Sequence, residues 1–490
     1  MRKDNLIQFS IIFILFILYH YLYILFNQSG TVNSDTIWSY SFSRDIIEGL
    51  NLSDFTFPPF YYFFDIIISF IPSLFGDHLL HAIIVSPINI SIFILIFASF
   101  YKSNFNDDYF KSAILLIIST IIVYFLFIIL SLSLSAFFDA PIYPLVILKN
   151  YFFMQGNHGL SAVAAFVIAY FFYFKEDTHQ KKTVLIFLVF LFSFSDFWFA
   201  VYFLPIIGSL FFLNPNKKLF LDILFLTSSS VLALVITYLS NGALSGYSNT
   251  LSGYQIFDNN ENLFEIIIGI LSILILIYII PFFCILHLSL KKQLSRFIKC
   301  ITLGSIISNL FIILMENFTY YNMRFCVFAL PLNIILVFEV LKFYQINIRK
   351  LFYISFIILT FGCLQILTFN ITDKMRNSST NFEFREEIEC IKEINKDRNY
   401  TIFSSYWPSK VIFESLNREI NLVVVRWIYN PSWSKLFSQS NGFIIVKYKH
   451  YPDNVPKNLV DIIENNKIAA KDFCNNKLIL VDNYKIKYGN

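Results

Sequence analysis

The chain has 490 residues, of which 57% are hydrophobic and only 14% are charged, and 60 are phenylalanine. Soluble globular proteins do not carry this excess of apolar residues, so the composition excludes them and predicts a polytopic membrane protein. The formal net charge of +4 is small, and basic loop residues account for it, so we expect no nucleic-acid partner.

Apolar runs that match the thickness of a bilayer recur along the chain up to residue 371. Nine of these runs are predicted spans: 6–26, 79–100, 112–134, 159–174, 219–240, 266–289, 300–316, 325–343 and 351–371. A longer run, 184–213, is interrupted by "SFSDFW" and predicts two short helices that meet at Asp196. The predicted fold class is an α-helical polytopic membrane protein with about eleven transmembrane helices, formed by residues 1–371.

Lysine and arginine in short loops predict the orientation, because these residues stay on the cytoplasmic side. One set of alternate loops, between Arg2 and Lys350, carries sixteen of them, and the other set carries three: Arg44, Lys149 and Arg324. We therefore expect a cytoplasmic N-terminus, with the first outer loop, 27–78, on the far side. An odd number of spans then places the chain after residue 371 outside as well.

Residues 372–490 are more polar, and their apolar runs shrink to the length of strands. The segments "YTIFSSYW", "INLVVVRW", "GFIIVKY" and "KLILVDNY" predict strands, and "PSKVIFESLNRE" predicts a helix between the first two. The C-terminal part is thus expected to be a small extracytoplasmic α/β domain. An oxidising compartment would allow its two cysteines, Cys390 and Cys474, to pair, but the sequence leaves this open.

The first outer loop holds two predicted helices. "NSDTIWSY" places Asp35 directly after the first span, at the start of a helix that ends before Gly49. Pro58 and Pro59 then begin an aromatic stretch that Gly76 closes, which is the usual punctuation of a helix. We expect this second helix, about fifteen residues long, to lie along the outer membrane interface, where its aromatic residues are favoured.

These loop motifs resemble the first outer loop of the GT-C glycosyltransferases, which include protein O-mannosyltransferases, the lipid A aminoarabinose transferase and bacterial oligosaccharyltransferases. The matching parts are the acidic Asp35, Arg44 with Gly49, the stretch 58–62 and "LFG" at 74–76. The resemblance extends to the number of spans and the external C-terminal α/β domain.

A second match is "NMRFCVFALPLNI", 322–334, which is similar to the "R-Y-x-x-x-x-L-P" entry of a late span in that superfamily, with Phe325 in place of Tyr. The resemblance implies an enzyme that moves a sugar from a polyprenyl-phosphate-linked donor to an acceptor on the outer side. The acceptor would be an envelope glycan, a lipid or a protein.

A lipid phosphate leaves the anomeric carbon without prior protonation, so one carboxylate suffices where glycosidases need a pair. Asp35 has the position to accept the proton of the attacking hydroxyl, in a single displacement that inverts the anomeric centre. The structural alternative is that Asp35 only caps the helix that follows it.

The donor phosphate needs a cation or a hydrogen-bond donor. Arg324, at the mouth of a span, is the first candidate because its planar guanidinium suits phosphate oxygens, with snorkelling to lipid head groups as the alternative. Arg44 is weaker, since Glu48 one turn later offers it an ion pair. His158, at the start of the span at 159, is a third candidate or a satisfied interfacial histidine.

Asp139 and Asp196 are candidates for a second carboxylate. Asp139 would hold a divalent cation or the acceptor, or it is a loop-turn residue beside Pro141 without a function. Asp196 lies among aromatic residues, where a carboxylate is costly unless it is used in the site or paired. The sequence itself requires no cofactor and leaves the metal open. Aromatic residues on the outer side are candidates for lining the sugar or acceptor path, although such residues are common at membrane interfaces: Trp38, Tyr40, Tyr320 and Tyr321.

Two other functions remain open: a lipid-linked sugar or polysaccharide transporter (flippase), and a glycan polymerase or ligase. Transporters place ionisable residues near the bilayer midplane. Here Asp222 and Glu339 fall toward cytoplasmic ends and the polar residues gather on one side, which favours an enzyme. Abundant Phe, Ile, Asn and Lys indicate an AT-rich bacterial genome, so the bacterial inner membrane is the expected location.

Overall fold

The structure is a computed structural model, and it describes residues 3–26, 34–49, 63–76, 88, 90–99, 101–102, 108–138, 156–174, 179–239, 263–315, 326, 328–344, 347–376, 385–396, 400–404, 406–416, 420–424, 442–447 and 470–482. The described helices are α1 (Lys3–Phe26), α2 (Ser34–Ile47), α3 (Phe63–Leu74), α4 (Ile90–Ser99), α5 (Tyr109–Phe138), α6 (Gly156–Phe174), α7 (His179–Ser195), α8 (Phe197–Leu213), α9 (Lys217–Leu239), α10 (Leu263–Leu290), α11 (Arg296–Met315), α12 (Ala329–Phe343), α13 (Ile348–Arg376), α14 (Arg385–Asn395) and α15 (Tyr406–Ser415). The strands are β1 (Tyr400–Ser404), β2 (Asn421–Val424), β3 (Gly442–Val446), β4 (Ala470–Phe473) and β5 (Leu478–Asp482).

These elements form two compact units. The first, the helical unit, contains α1, α4 to α12 and α13 up to Thr372. The second, the mixed unit, contains α2 and α3 of the first loop together with the described elements from α14 onward. The domain boundary expected at residue 371 therefore lies next to a division of the structure, but the loop helices α2 and α3 group with the C-terminal part.

Helices occur where the sequence predicts spans. Each of the nine predicted runs overlaps a described helix of the helical unit, and the interrupted run gives α7 and α8, which meet at Asp196 as expected. Two helical stretches among the residues with described side chains pass a test of length and composition for crossing a membrane, Tyr109–Phe127 and Lys217–Thr237. The structure thus establishes a mostly helical chain with a small sheet.

Short polar side chains begin several of these helices. The Asp108 carboxylate accepts from the main-chain N–H of Phe110 at 2.9 Å at the start of α5. Asn216 and Asn347 make the equivalent contacts at the starts of α9 and α13. Such caps satisfy main-chain donors that a helix start leaves without a partner, so each boundary is encoded locally.

Aromatic packing fills much of the helical unit. The ring of Phe97 on α4 lies 5.1 Å from that of Phe166 and 5.5 Å from that of Tyr170, both on α6. The ring of Phe297 on α11 lies 5.1 Å from Tyr170 in an edge-on arrangement. The phenylalanine content therefore builds contacts between helices that are distant in sequence.

The helices α8 and α11 approach each other closely at Gly304. A Cβ added to Gly304 on α11 would lie 2.6 Å from the Cα of Ile206 on α8. Only a glycine lets the two backbones come this near, as small residues do between membrane helices.

The mixed unit contains a five-stranded sheet in the order β2-β1-β3-β5-β4. β1 pairs in parallel with β2 and β3, and β5 pairs antiparallel with β3 and β4. The helix α15 connects β1 to β2, and both β1 and β3 are fully buried, as central strands covered on both faces are. The four strands and the helix predicted from the sequence are all confirmed.

A disulfide and an ion pair join α14 to the turn between β4 and β5. Cys390 bonds to Cys474 with their Cα atoms 6.3 Å apart. The Lys477 ammonium lies 2.7 Å from the Glu386 carboxylate, and this hydrogen bond raises the pKa of Lys477. The pairing of the two cysteines, which the sequence left open, is therefore present.

We predict that Gly304→Ala destabilises the helical unit by about 1–3 kcal/mol, the usual cost of overpacking, because the new methyl meets the backbone of α8. Gly208→Ala is the matched control: Gly208 lies on α8, but a Cβ there meets nothing within 4 Å. That change should be neutral or stabilise the helix by roughly 0.5–1 kcal/mol. Thermal unfolding of both purified variants measures the difference, and equal midpoints would contradict the close approach.

Candidate functional site

The helix that carries the expected base is α2. It begins at Ser34, so Asp35 is its second residue and lies in the first turn, where the helix macrodipole favours a carboxylate. Gly49 follows the end of the helix with φ +84°, a conformation that suits glycine. The side chains of Asp35 and Trp38 lie outside the described part of the chain. The choice between a base and a helix cap at Asp35 therefore stays a prediction.

Serine hydroxyls hold α2 against α3. The hydroxyl of Ser69 on α3 donates to that of Ser39 on α2 at 2.8 Å, and Ser73 donates to the main-chain carbonyl of Tyr40 at 3.0 Å. In the other direction, Ser43 donates to a main-chain carbonyl of α3 at 3.0 Å. All four serines are buried, so these bonds form away from water, and small side chains let the two helices approach closely.

Tyr40 is fully buried in this contact. Its side chain therefore has no exposed surface, and the expected role in lining a substrate path stays a prediction. Two other aromatic candidates, Tyr320 and Tyr321, lie outside the described residues.

A buried carboxylate joins α2 to the C-terminal segment. The side chain of Glu414 on α15 is fully buried, and it accepts a hydrogen bond from the Ser41 hydroxyl at 2.5 Å. Its second oxygen lies 3.2 Å from a guanidinium nitrogen of Arg44. Arg44 also pairs with Glu48 one turn later, at 2.9 Å. The guanidinium of Arg44 therefore pairs with two carboxylates: that of Glu48, which is exposed, and that of Glu414, which is buried.

These contacts change the expected role of Arg44. The local pair with Glu48, the alternative to phosphate binding, is present, and the contact with Glu414 adds a second partner. Position 35 is nine residues before Arg44, which is two and a half turns, so the two positions fall on opposite sides of the helix cylinder. Arg44 therefore has a structural use on the side away from Asp35.

Asp196 is positioned by the break between α7 and α8. It is the N-cap of α8, where its carboxylate accepts from the main-chain N–H of Trp198 at 3.0 Å. Its other oxygen accepts from the hydroxyl of Ser161 on α6 at 2.6 Å. The residue is almost fully buried, so the carboxylate is engaged within the helical unit, as its capping position explains.

Ionisable residues toward the predicted cytoplasmic ends of the helical unit also have partners. Lys182 on α7 lies 2.6 Å from the Asp222 carboxylate on α9. Tyr101 donates to the Glu339 carboxylate, and the ammonium of Lys342 lies 4.8 Å from the centre of the Tyr101 ring. These groups satisfy one another across helices, which gives each a structural use.

The remaining site candidates are not described in the same detail. His158 is the third residue of α6, but its side chain lies outside the described part, as do Asp139 and Arg324 entirely. Within the described residues, no group of three or more His, Cys, Asp or Glu could hold a metal ion. The divalent cation considered for Asp139 thus stays open.

The residues next to Glu414 and Asp45 in the sequence do not predict that these two acids are buried in the fold. Glu414 follows the apolar run Val411–Phe413, and an acidic residue there is the sole hint that it is used inside the fold. Asp45, another residue of α2, is 1% exposed. Both acids are therefore buried, and neither burial could be read from the surrounding sequence.

Comparison of the chain with protein-family models, with curated proteins and with solved structures finds no match.

We predict that Asp196→Asn folds with nearly unchanged stability, because asparagine caps helices as well as aspartate does. Asp196→Ala should lose about 1–3 kcal/mol, since the cap disappears and the Ser161 hydroxyl loses its buried acceptor. Asp108→Ala is the control for the cap alone, on an exposed helix start, with an expected loss of about 1 kcal/mol. Thermal unfolding measures all three. A stable Asp196→Asn variant that transfers no sugar would instead point to a carboxylate of the reaction.

Proposed function

We propose that the protein is an integral-membrane glycosyltransferase of the GT-C type, which moves a sugar from a polyprenyl-phosphate-linked donor to an acceptor outside the cytoplasm. The observation that carries the proposal is the docking of α2 on α15 through Ser41, Arg44 and Glu414. It joins the loop helix that bears Asp35 to the C-terminal α/β segment, the two parts to which the resemblance gives outer-side roles.

The lengths and exposed surfaces of several helices in the helical unit support the proposed membrane location. The helices α1, α5, α9, α10 and α13 have 23 to 30 residues each, which exceeds the roughly 20 needed for a span. Large apolar side chains are exposed along several of them, far beyond what a soluble surface carries. Examples with more than half of their surface exposed are Phe225, Leu232, Leu239, Leu271, Phe282, Phe283, Leu290, Ile357, Phe361 and Leu364.

The mixed unit supports the proposed orientation. Helices α2 and α15 are in contact, so the chain must cross the proposed membrane an even number of times between them. Ten predicted spans lie between these helices, which agrees with that requirement. The disulfide between Cys390 and Cys474 favours the oxidising, extracytoplasmic side, and this argument is independent of the loop charges.

The chemistry then assigns few residues. Asp35 accepts the proton of the acceptor hydroxyl as that oxygen attacks the anomeric carbon, and the carbon–phosphate oxygen bond breaks in the same step. The lipid phosphate leaves as an anion, which Arg324 stabilises, with His158 as a further donor. Arg44 is assigned to holding α2, because its guanidinium already pairs with Glu48 and Glu414.

A transporter is the weaker proposal. A flippase that couples transport to ions or protons needs ionisable residues inside its helical bundle. Of the described candidates, Asp222, Glu339 and Asp196 are engaged by a lysine, a tyrosine and a helix start. The buried His20 on α1 contacts the main-chain carbonyl of Phe16 on its own helix at 3.0 Å. A glycan polymerase or ligase differs from the main proposal in its acceptor and uses the same chemistry.

We predict that a reporter fused after Asn490 and active only in the cytoplasm stays silent in cells, because the C-terminal segment is outside. The same reporter fused after Lys292, in a loop of the opposite set, should be active and serves as the control. A strong signal from the Asn490 fusion would invert the topology and remove Asp35 from the outer side.

The function itself is tested with purified protein and a labelled polyprenyl-phosphate sugar. Wild type should release or transfer the sugar, and Asp35→Asn should lower kcat by about 10²–10⁴ while the donor Kd and thermal midpoint stay constant. Asparagine can still cap a helix, so near-normal turnover by this variant would make Asp35 a cap and move the search for a base to Asp139 or Asp196. Donor transport without sugar release would favour the flippase.

A further inference from the structure

The side chain of Glu414 is fully buried, and both of its oxygens contact the same neighbouring helix, α2. Ser41 donates to one oxygen at 2.5 Å, and Arg44 lies 3.2 Å from the other. Removing a carboxylate from water costs free energy, and these contacts offset part of that cost. An apolar side chain could fill the same space at lower cost, so the stability of the fold alone does not explain a glutamate here.

The contact restrains the rotation of α2 about its own axis. Ser41 and Arg44 are three residues apart and so lie on one face of the helix, toward α15. The serine contacts with α3 hold a different face, through Ser39 and Ser43. Hydrogen bonds depend on direction, whereas apolar contacts tolerate sliding, so two such sets on two faces define one orientation of the helix.

That orientation also sets the first turn of α2. Position 35 is six residues before Ser41, about 9 Å along the axis at 1.5 Å per residue. A helix of this length behaves as a rigid rod, so a rotation permitted at Ser41 is a rotation at Asp35.

We propose that Glu414 is a positioning residue for sugar transfer: it fixes α2 through Ser41 and Arg44 and thereby aims Asp35 at the acceptor hydroxyl. This inference rests on the proposed function. The C-terminal α/β segment then takes part in the reaction through the helix that it orients, without itself touching the sugar.

The test compares the effect of Glu414→Ala in two backgrounds. In wild type, we expect kcat to fall about 100-fold with the donor KM within about twofold, because a misplacement near 1 Å has a cost of this size. In an Asp35→Asn background, where no base remains to be aimed, the same change should lower kcat by less than about threefold. Glu414→Gln keeps the shape and an acceptor for Ser41, and it should give an intermediate loss of about tenfold.

Equal losses in both backgrounds would overturn the positioning role and leave Glu414 with a part in folding only. The control is Lys447→Ala, which removes a 2.5 Å ion pair with Asp472 on the surface of the same unit and should leave kcat unchanged. If Glu414→Ala does not fold, the comparison is made with Glu414→Gln alone.

A second measurement does not depend on turnover. A spin label attached to a cysteine at Thr36→Cys should become more mobile in Glu414→Ala and Glu414→Gln than in the Lys447→Ala control. Unchanged mobility would overturn the inference even if the enzyme is active. If the label becomes more mobile but the protein releases no sugar in the assay, Glu414 does restrain α2. The proposed function, and with it the positioning role in sugar transfer, would then be rejected.

Discussion

A carboxylate withdrawn from water must meet a cation or hydrogen-bond donors, and Glu414 finds both on α2. The mixed unit depends on this requirement, because it joins residues 370 or more positions apart in the chain. Glu414 is placed by α15, which connects two parallel strands of the sheet. The buried centre of that sheet therefore contributes, through one side chain, to the orientation of a helix from the first loop.

The same contact restricts how the chain can be threaded through a membrane. Two segments that touch cannot lie on opposite sides of a bilayer, so every span between α2 and α15 must be matched by another that returns. If one predicted span between these helices is wrong, a second must be wrong as well, because a single error would make the number of spans odd. An even number of spans does not say on which side of the membrane α2 and α15 lie. The disulfide between Cys390 and Cys474 favours the oxidising side.

Local features of the chain were predictable from sequence, and long-range ones were not. Apolar runs predict the helices because length and hydropathy are local, and "SFSDFW" predicts the break at Asp196 because a cap is chosen by its immediate neighbours. The Arg44–Glu48 pair follows from a four-residue spacing. The strand β4, "AKDF", is short, edge-located and half charged, so its pattern is too weak to predict. Glu414 pairs with a helix from the other end of the chain, and no spacing rule reaches that far.

The polar character of the α2 surroundings fits the demands of a displacement at carbon. In-line attack requires the base, the acceptor oxygen and the departing phosphate to hold one geometry, and a rigid support maintains it better than a contact that slides. Serines provide such support at low cost. The single hydroxyl hydrogen of Ser43, like that of Ser73, lies within reach of one carbonyl of its own helix and one of the neighbouring helix, so each hydroxyl keeps an acceptor when α2 and α3 pack together. An apolar interface would restrain α2 through shape alone, without the directional bonds that these hydroxyls and Glu414 add. The directed bonds on two faces are therefore what a helix carrying a single catalytic carboxylate would need.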